Sequence, residues 1–371
     1  MAAFLGIGGV VAASLVAATA ICATSGCSAV GYYAQSARGH VELVAAARPV
    51  ANWLADPATP APLKARLELS QRIRDFAVAE LGEPDNASYR RYADLQRPAA
   101  VWNVVAAPEL SLDLKTWCFA VVGCVAYRGY YHSADADTEA MALRGAGLEA
   151  VVYPVPAYST LGKLPGSWFA DPLLNTFIGY SEGELARLVF HELAHQVAFA
   201  KGDTLFNESF ATAVERIGGA RWLAAHGSDE ARAEQVQVDA RRADFRALTQ
   251  RYRERLLALY AGNDGDAIKR DAKAALFASM RADHEAMKAG PWHGYAGYDG
   301  WFARANNASL GVLAAYNELV PDFERLFERE GRDFTRFYDE VRRLAGLPMP
   351  ERRRALTGGA RPATASTTNL P

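Results

Sequence analysis

His191-Glu192-Leu193-Ala194-His195 sets two imidazoles four positions apart, and Asn207-Glu208-Ser209-Phe210-Ala211 follows after a short interval. An α-helix advances about 100° per residue, so positions i and i+4 share a face and both rings can reach one metal ion. Glu192 sits one step round from His191, too far off that face to ligate easily but within reach of a water at the metal. The chemistry implied is hydrolysis by one Zn2+ ion with an open coordination position and a carboxylate placed to take a proton. Leu185, Leu188, Val189, Leu193 and Val197 add an apolar stripe at helical spacing, and Glu192 is the only charged residue between Arg187 and Lys201. The helix is therefore expected to be buried, where imidazoles and a carboxylate are costly unless paired or bound to a metal.

A catalytic zinc takes three protein ligands. Beyond His195 the helix can run about one more turn before Lys201-Gly202-Asp203-Thr204, a short turn with Gly202 as the helix stop. Phe206, Phe210, Val214 and Ile217 then fall on one stripe of a second helix, with Asn207 as the expected N-terminal cap. Helices joined this closely lie antiparallel, which returns Glu208 to the histidines as the expected third ligand. Glu215, seven residues on and on the same face, is expected to accept the second N–H of a ligating histidine. As an ordinary surface carboxylate it would pair instead with Arg216 or Arg221.

At these residues the chain resembles the gluzincin metallopeptidases, whose ligands are two histidines and the glutamate of an Asn-Glu-x-x-Ala segment. Phe206-Asn-Glu-Ser-Phe-Ala-Thr-Ala-Val-Glu215 is similar to the second motif of the zinc aminopeptidases, in which the later glutamate supports a histidine ligand. Here 12 residues separate His195 from Glu208, fewer than in the large aminopeptidases; a separation of 19 would select Glu215 as the ligand. Further segments carry a narrower resemblance: Trp117-Cys-Phe-Ala-Val-Val-Gly-Cys-Val-Ala-Tyr-Arg-Gly-Tyr130, Ala157-Tyr-Ser-Thr-Leu-Gly162, Asp171-Pro-Leu-Leu174 and Leu185 to Gln196. Together they are similar to a family of bacterial proteins described as predicted aminopeptidases, over about Cys27 to Pro348. The resemblance implies a zinc peptidase acting on a peptide substrate. The Gly-x-Met-x-Asn segment that anchors a free amino terminus in the large aminopeptidases is absent from this chain, which leaves exopeptidase and endopeptidase action both open.

Residues 1–26 carry no charge, and an apolar run from Phe4 to Cys22 ends in small residues before Cys27. A removable secretory segment accounts for that order. Thr24-Ser-Gly-Cys27 resembles a bacterial lipobox, which implies acylation of Cys27, a lipid anchor and, with Ser28 following, the outer membrane with the domain facing the periplasm. An uncleaved anchor is the alternative, since about 19 apolar residues approach a membrane span. Net charge is −2 and half of the residues are apolar, so nothing marks a nucleic-acid surface. Of four cysteines, Cys118 and Cys124 remain as the pair expected to form a disulfide in an oxidising compartment.

The organisation expected around the motif is α+β and mostly helical. It comprises a signal segment at 1–26, a zinc peptidase domain at 27–349 and a disordered tail at 350–371. Leu63, Leu67, Ile73, Phe76, Val78 and Leu81 describe a helix ended by Gly82 and Pro84. Val101–Val105, Phe119–Val122 and Ala150–Tyr153 are short and β-branched and read as strands, with a helix near Thr138 to Arg144; this sheet-containing part spans about 95–160. The metal-binding part, about 183–349, is helical, and Phe245, Leu248, Tyr252, Leu256 and Leu259 stripe the stretch Ser228 to Ala261. Hydrolysis also needs a donor for the developing oxyanion. Gluzincins supply one from a downstream Tyr or His; His284, His293, Tyr295, Tyr298 and Tyr316 are all available here, and Tyr298, in the stretch Tyr298-Asp-Gly-Trp-Phe302, is the expected donor. The competing reading is a zinc-containing envelope lipoprotein with a binding or assembly role and no turnover. Glu192 argues against it, because a structural zinc closes its fourth position and needs no base.

Overall fold

The computed structural model describes residues 27–119, 123–157, 170–315 and 318–358. The signal segment expected at 1–26 and the end of the tail, 359–371, lie outside the described residues. The chain runs α1 (Cys27–Ala45), β1 (Arg48–Pro49), α2 (Val50–Ala55), α3 (Ala61–Leu81), β2 (Arg91–Ala93), β3 (Val101–Pro108), β4 (Trp117–Phe119), β5 (Gly123–Val125) and β6 (Arg128–Tyr130). It continues through α4 (Ser133–Gly145), β7 (Leu148–Val155) and β8 (Leu173–Leu174) to α5 (Glu182–Val197), α6 (Thr204–His226), α7 (Asp229–Ala261) and α8 (Asp266–Ala289). Short helices close it: α9 (Asp299–Arg304), α10 (Asn307–Ala315), α11 (Val320–Arg329), α12 (Phe334–Ala345) and α13 (Met349–Leu356). The architecture is mostly helical with small sheets, as α+β reading of the sequence expects. No helix among the described residues is long and apolar enough to cross a membrane.

The sheet β6-β3-β7 is antiparallel, with β3 in the centre. Side chains alternate along a strand, and both faces of β3 are covered. Val104 and Ala106 pack with Ala136, Ala140 and Leu143 of α4, whereas Val105 and Ala107 meet Ala308 of α10. A strand buried on both faces needs a mostly apolar run, which Val101 to Ala107 supplies apart from Asn103, whose buried amide donates to the Tyr153 hydroxyl at 3.3 Å. Phe119 ends β4, and residues 120–122 of the strand expected there lie outside the described residues. Cys118 and Cys124 face one another across the β4–β5 hairpin and are joined by a disulfide. A second small sheet, β1-β2-β8, pairs β2 with β8 in parallel.

The main core gathers α3, α5, α6 and α11 to α13, with Ile73, Phe190, Phe210, Phe323, Phe337 and Leu356 all nearly inaccessible. The stripe of α7 packs instead with Phe277 and Met280 of α8, Trp292 and Phe302 in a separate cluster. One expectation is corrected here. Disorder was expected from residue 350, yet Met349–Leu356 is a helix that buries Leu356 in the main core. Polar composition misled because Arg352, only 5% exposed, is paired rather than solvated. Its guanidinium meets Asp203 Oδ2 at 2.6 Å and donates to the carbonyls of Leu344, Ala345 and Leu347. Arg353 adds a second ion pair to the same carboxylate.

Candidate active site

The motif residues lie on two antiparallel helices whose contacts form a ladder. Trp222 Nε1 donates to Glu182 at 2.9 Å, His191 meets Glu215, and His195 faces Glu208 at the opposite end. The close approach depends on Gly218 and Gly219 in the middle of α6. A Cβ on Gly219 would lie 2.6 Å from Arg187 Cγ, and one on Gly218 would lie 2.9 Å from Phe190. Glycine inside a helix costs about 1 kcal/mol relative to alanine. Here that cost is offset by bringing the metal-motif helix against its partner.

The connection between the helices departs from the sequence reading in two details. Helix α5 ends at Val197, two residues after His195, and Ala198 is extended. Gly202, at φ +75°, shapes the turn rather than the helix end. The N-terminal cap of α6 is Asp203, whose Oδ1 accepts from Phe206 N at 3.1 Å, not Asn207. Asn207 lies within the first turn, and its side chain bonds both N and O of Ala200 at 2.7 and 2.9 Å, tying the turn back on itself. The signal for Asp203 was present, since Asp directly before a helical stripe is a favoured cap. The disulfide hairpin abuts the same turn: a Cβ on Gly123 would sit 3.1 Å from both Cα and N of Gly202.

Within this frame His191, His195 and Glu208 converge, their donor atoms all within 4.8 Å of one another. Glu208 Oε2 lies 3.3 Å from His191 Nε2 and 3.7 Å from His195 Nε2, and the two rings stand edge to face at 4.9 Å. Ligands on a tetrahedral zinc at about 2.0 to 2.1 Å are separated by about 3.3 Å, so these spacings match the donor set for that ion. His191 Nδ1 lies 2.8 Å from Glu215 Oε2, which leaves Nε2 free to face Glu208. A carboxylate on the far nitrogen of a ligating histidine fixes its tautomer and orientation. The surface partners considered for Glu215 are engaged elsewhere: Arg216 pairs with Glu324 at 3.5 Å, and Arg221 donates to Arg332 O.

The electrostatics of the cluster separate the roles of its carboxylates. Burial opposes ionisation of Glu208, but the His195 and His191 imidazoles outweigh it and hold the group well below the usual carboxylate range. Glu192 shifts the other way. Burial raises its carboxyl, Glu208 and Glu215 reinforce the shift, and the two imidazoles only partly offset it. A carboxylate whose affinity for protons is raised is suited to accept and return one. His191 is pulled down by burial yet held well above its ordinary value by Glu208 and Glu215.

The oxyanion-donor candidates among the described residues make no direct contact with the histidine pair. Tyr298 stacks flat on Phe245 at 4.5 Å and packs by Trp292 in the α7–α8 cluster, and no recorded contact joins it to the histidine pair among the described residues. His284 is buried against Phe302 at 4.0 Å, Tyr295 is exposed, and Tyr316 lies outside the described residues. His284, Glu285 and Asp299 also converge, but Lys288 Nζ bonds both carboxylates at 2.9 and 3.0 Å, so an ammonium already bridges the two acids of that group.

Sequence reasoning missed the groups that hold the metal-motif helix from outside. Arg187 pairs with Asp239 of α7 at 2.5 and 2.8 Å, and Glu184 with Arg242 at 2.5 Å. Gln196, one turn after Glu192, accepts from Asn86 at 2.7 Å and donates to Ser88 at 3.1 Å. None of these pairs is signalled by local spacing.

A mostly helical α+β domain with two histidines and a glutamate converging beside a second, base-like carboxylate defines a candidate hydrolytic metal centre. The family model described as "Putative aminopeptidase" matches residues 31–356, and the chain belongs to that family. The match ends with α13, the helix that carries Arg352. No curated protein and no solved structure matches the chain.

Proposed function

We propose that this protein is a zinc-dependent peptidase of gluzincin type that hydrolyses peptide bonds, acting as an aminopeptidase in the bacterial cell envelope. The observation that carries the reading is the meeting of His191, His195 and Glu208 at ligand spacing, with Glu192 on the helix that carries the two histidines. These three residues would hold one Zn2+, which supplies Lewis acidity for the scissile carbonyl and makes water a stronger acid. Glu192 takes the proton of the attacking water and returns it to the leaving amine, a double use that its raised affinity for protons favours. Glu215 keeps the His191 Nδ1 proton in place so that Nε2 presents its lone pair. Tyr298, stacked on Phe245, stands in a packing role, so we do not assign it the oxyanion.

Glu192→Gln tests the mechanism. Zinc content should be retained while turnover falls by about 10²- to 10⁴-fold, the contribution typical of a positioned base. Turnover near the wild-type value would reject the role. The envelope assignment draws its support from the uncharged apolar residues 1–26 ahead of Cys27. The full-length protein should partition with the outer membrane, and Cys27→Ser should release it or leave an unprocessed precursor; unmodified protein in the cytosolic fraction would reject export.

A further inference from the structure

Tyr89 is a large aromatic residue in the left-handed region, at φ +62°. For such a side chain this conformation costs about 1 to 3 kcal/mol and persists only where the surroundings over-determine it. They do so here. The Tyr89 N–H donates to Asp171 O at 2.7 Å, its carbonyl accepts from Gln71 Nε2 at 3.0 Å, and the preceding carbonyl, Ser88 O, accepts from Arg74 Nε at 3.0 Å.

This segment is pinned to one face of α5. Ser88 Oγ, Asn86 and Asp171 all bond the side chain of Gln196, at 3.1, 2.7 and 3.4 Å. Gln196 and Glu192 are four residues apart and therefore neighbours on that face. The strained turn thus places Tyr89 beside the segment that bonds Gln196, on the flank of the metal-motif helix that Gln196 shares with Glu192. The ring is 1% exposed, and no group among the described residues bonds its hydroxyl. A buried hydroxyl without a partner costs about 1 to 3 kcal/mol, so one left in place asks for a reason. The charged groups acting on it are Glu192 foremost, then Asp171, Arg74 and Glu83, behind the effect of burial itself.

Building on Glu192 as the base of the proposed peptidase, we propose that Tyr89 is its positioning residue: the buried hydroxyl holds the Glu192 carboxylate through one water in the orientation that accepts the proton. A donor on the carboxylate limits its rotation, and the strained backbone fixes the donor in turn. Arg74 is held on this turn through Nε and Nη2, which donate to the Ser88, Pro84 and Asn86 carbonyls, so the buried donors without a partner on this flank are Arg74 Nη1 and the Tyr89 phenol.

Tyr89→Phe in the full chain removes the hydroxyl and keeps the ring and its packing. With zinc loaded to the wild-type stoichiometry, kcat on a peptide substrate should fall about 10- to 100-fold with KM changed by less than about twofold. The melting temperature of the metal-free variant should not rise. A purely structural ring predicts the opposite: unchanged kcat, and a higher melting temperature because an unpartnered buried hydroxyl has gone. Either a kcat within about twofold of wild type or a raised melting temperature overturns the assignment. If the zinc-loaded wild type cleaves no peptide in a library with free and blocked amino termini, it is the peptidase reading that fails, and the metal-free melting comparison still decides the contact.

Discussion

Arg352→Met probes the link between the last helix and the candidate metal centre. Asp203 is almost fully buried, caps the helix that carries Glu208, and shares its carboxylate between Arg352 and Arg353. Removing one partner of a buried pair costs about 3 to 5 kcal/mol because the other charge is left behind. Asp203 keeps Arg353 and the Phe206 N–H, which favours the lower end, about 3 kcal/mol. At about 2 °C per kcal/mol for a chain of this size, melting should fall by about 6 °C. Arg354→Met is the control, since Arg354 is exposed on the same helix and a surface substitution changes stability by only about 0.5 kcal/mol. Far-UV circular dichroism of the two metal-free variants gives the comparison. Zinc affinity of Arg352→Met should also weaken by about tenfold, since the cap sets the start of the ligand helix. Equal melting of the two variants would show that α13 does not hold the Asp203 turn, and the reasoning would fail.

Two further outcomes follow from the same geometry. Glu208→Ala should abolish most zinc binding, while Glu215→Ala, which touches only the far nitrogen of His191, should weaken it by about 10- to 100-fold; titrations giving the reverse order would make Glu215 the ligand. Glu83 is buried with neither oxygen bonded among the described residues, and burial lifts its carboxyl well above the ordinary range against the pull of Arg74 and His191. A carboxyl raised in the folded state favours folding at a pH below its unfolded value, about 4.3, and that contribution is lost as pH climbs towards the folded value. Glu83→Gln should therefore flatten the decline in stability of the metal-free chain above that pH; an unchanged pH dependence in denaturant melts would mean that Glu83 ionises as freely as in the unfolded chain.

What the sequence determined by itself is the part of the site governed by local geometry. His191 and His195 share a face because four residues make about one helical turn. Glu208 comes back to them because the connection is too short for any arrangement but antiparallel helices, and Glu215 follows by the same periodicity. The strands around Val101 and Ala150 were legible because β-branched runs suit a strand buried on both faces. Tertiary structure decided the rest. Asp203 is selected over Asn207 as the cap by arginines some 150 residues away, and no local pattern reports such a pairing. The same pairing turns a polar stretch that reads as disordered into α13, because composition measures what side chains prefer in water, not which partners folding will supply. Tyr298 is put forward by its residue type and its place downstream of the motif, as the resemblance implies, whereas its flat stack on Phe245 exists only in the folded chain. Tyr89 went unnoticed because neither its left-handed backbone nor its approach to the Glu192 face exists until Asp171, Gln71 and Arg74 close around it. Periodicity encodes which residues of one element face the same way; which elements meet, and what they do to one another's charges, is settled only when the chain packs.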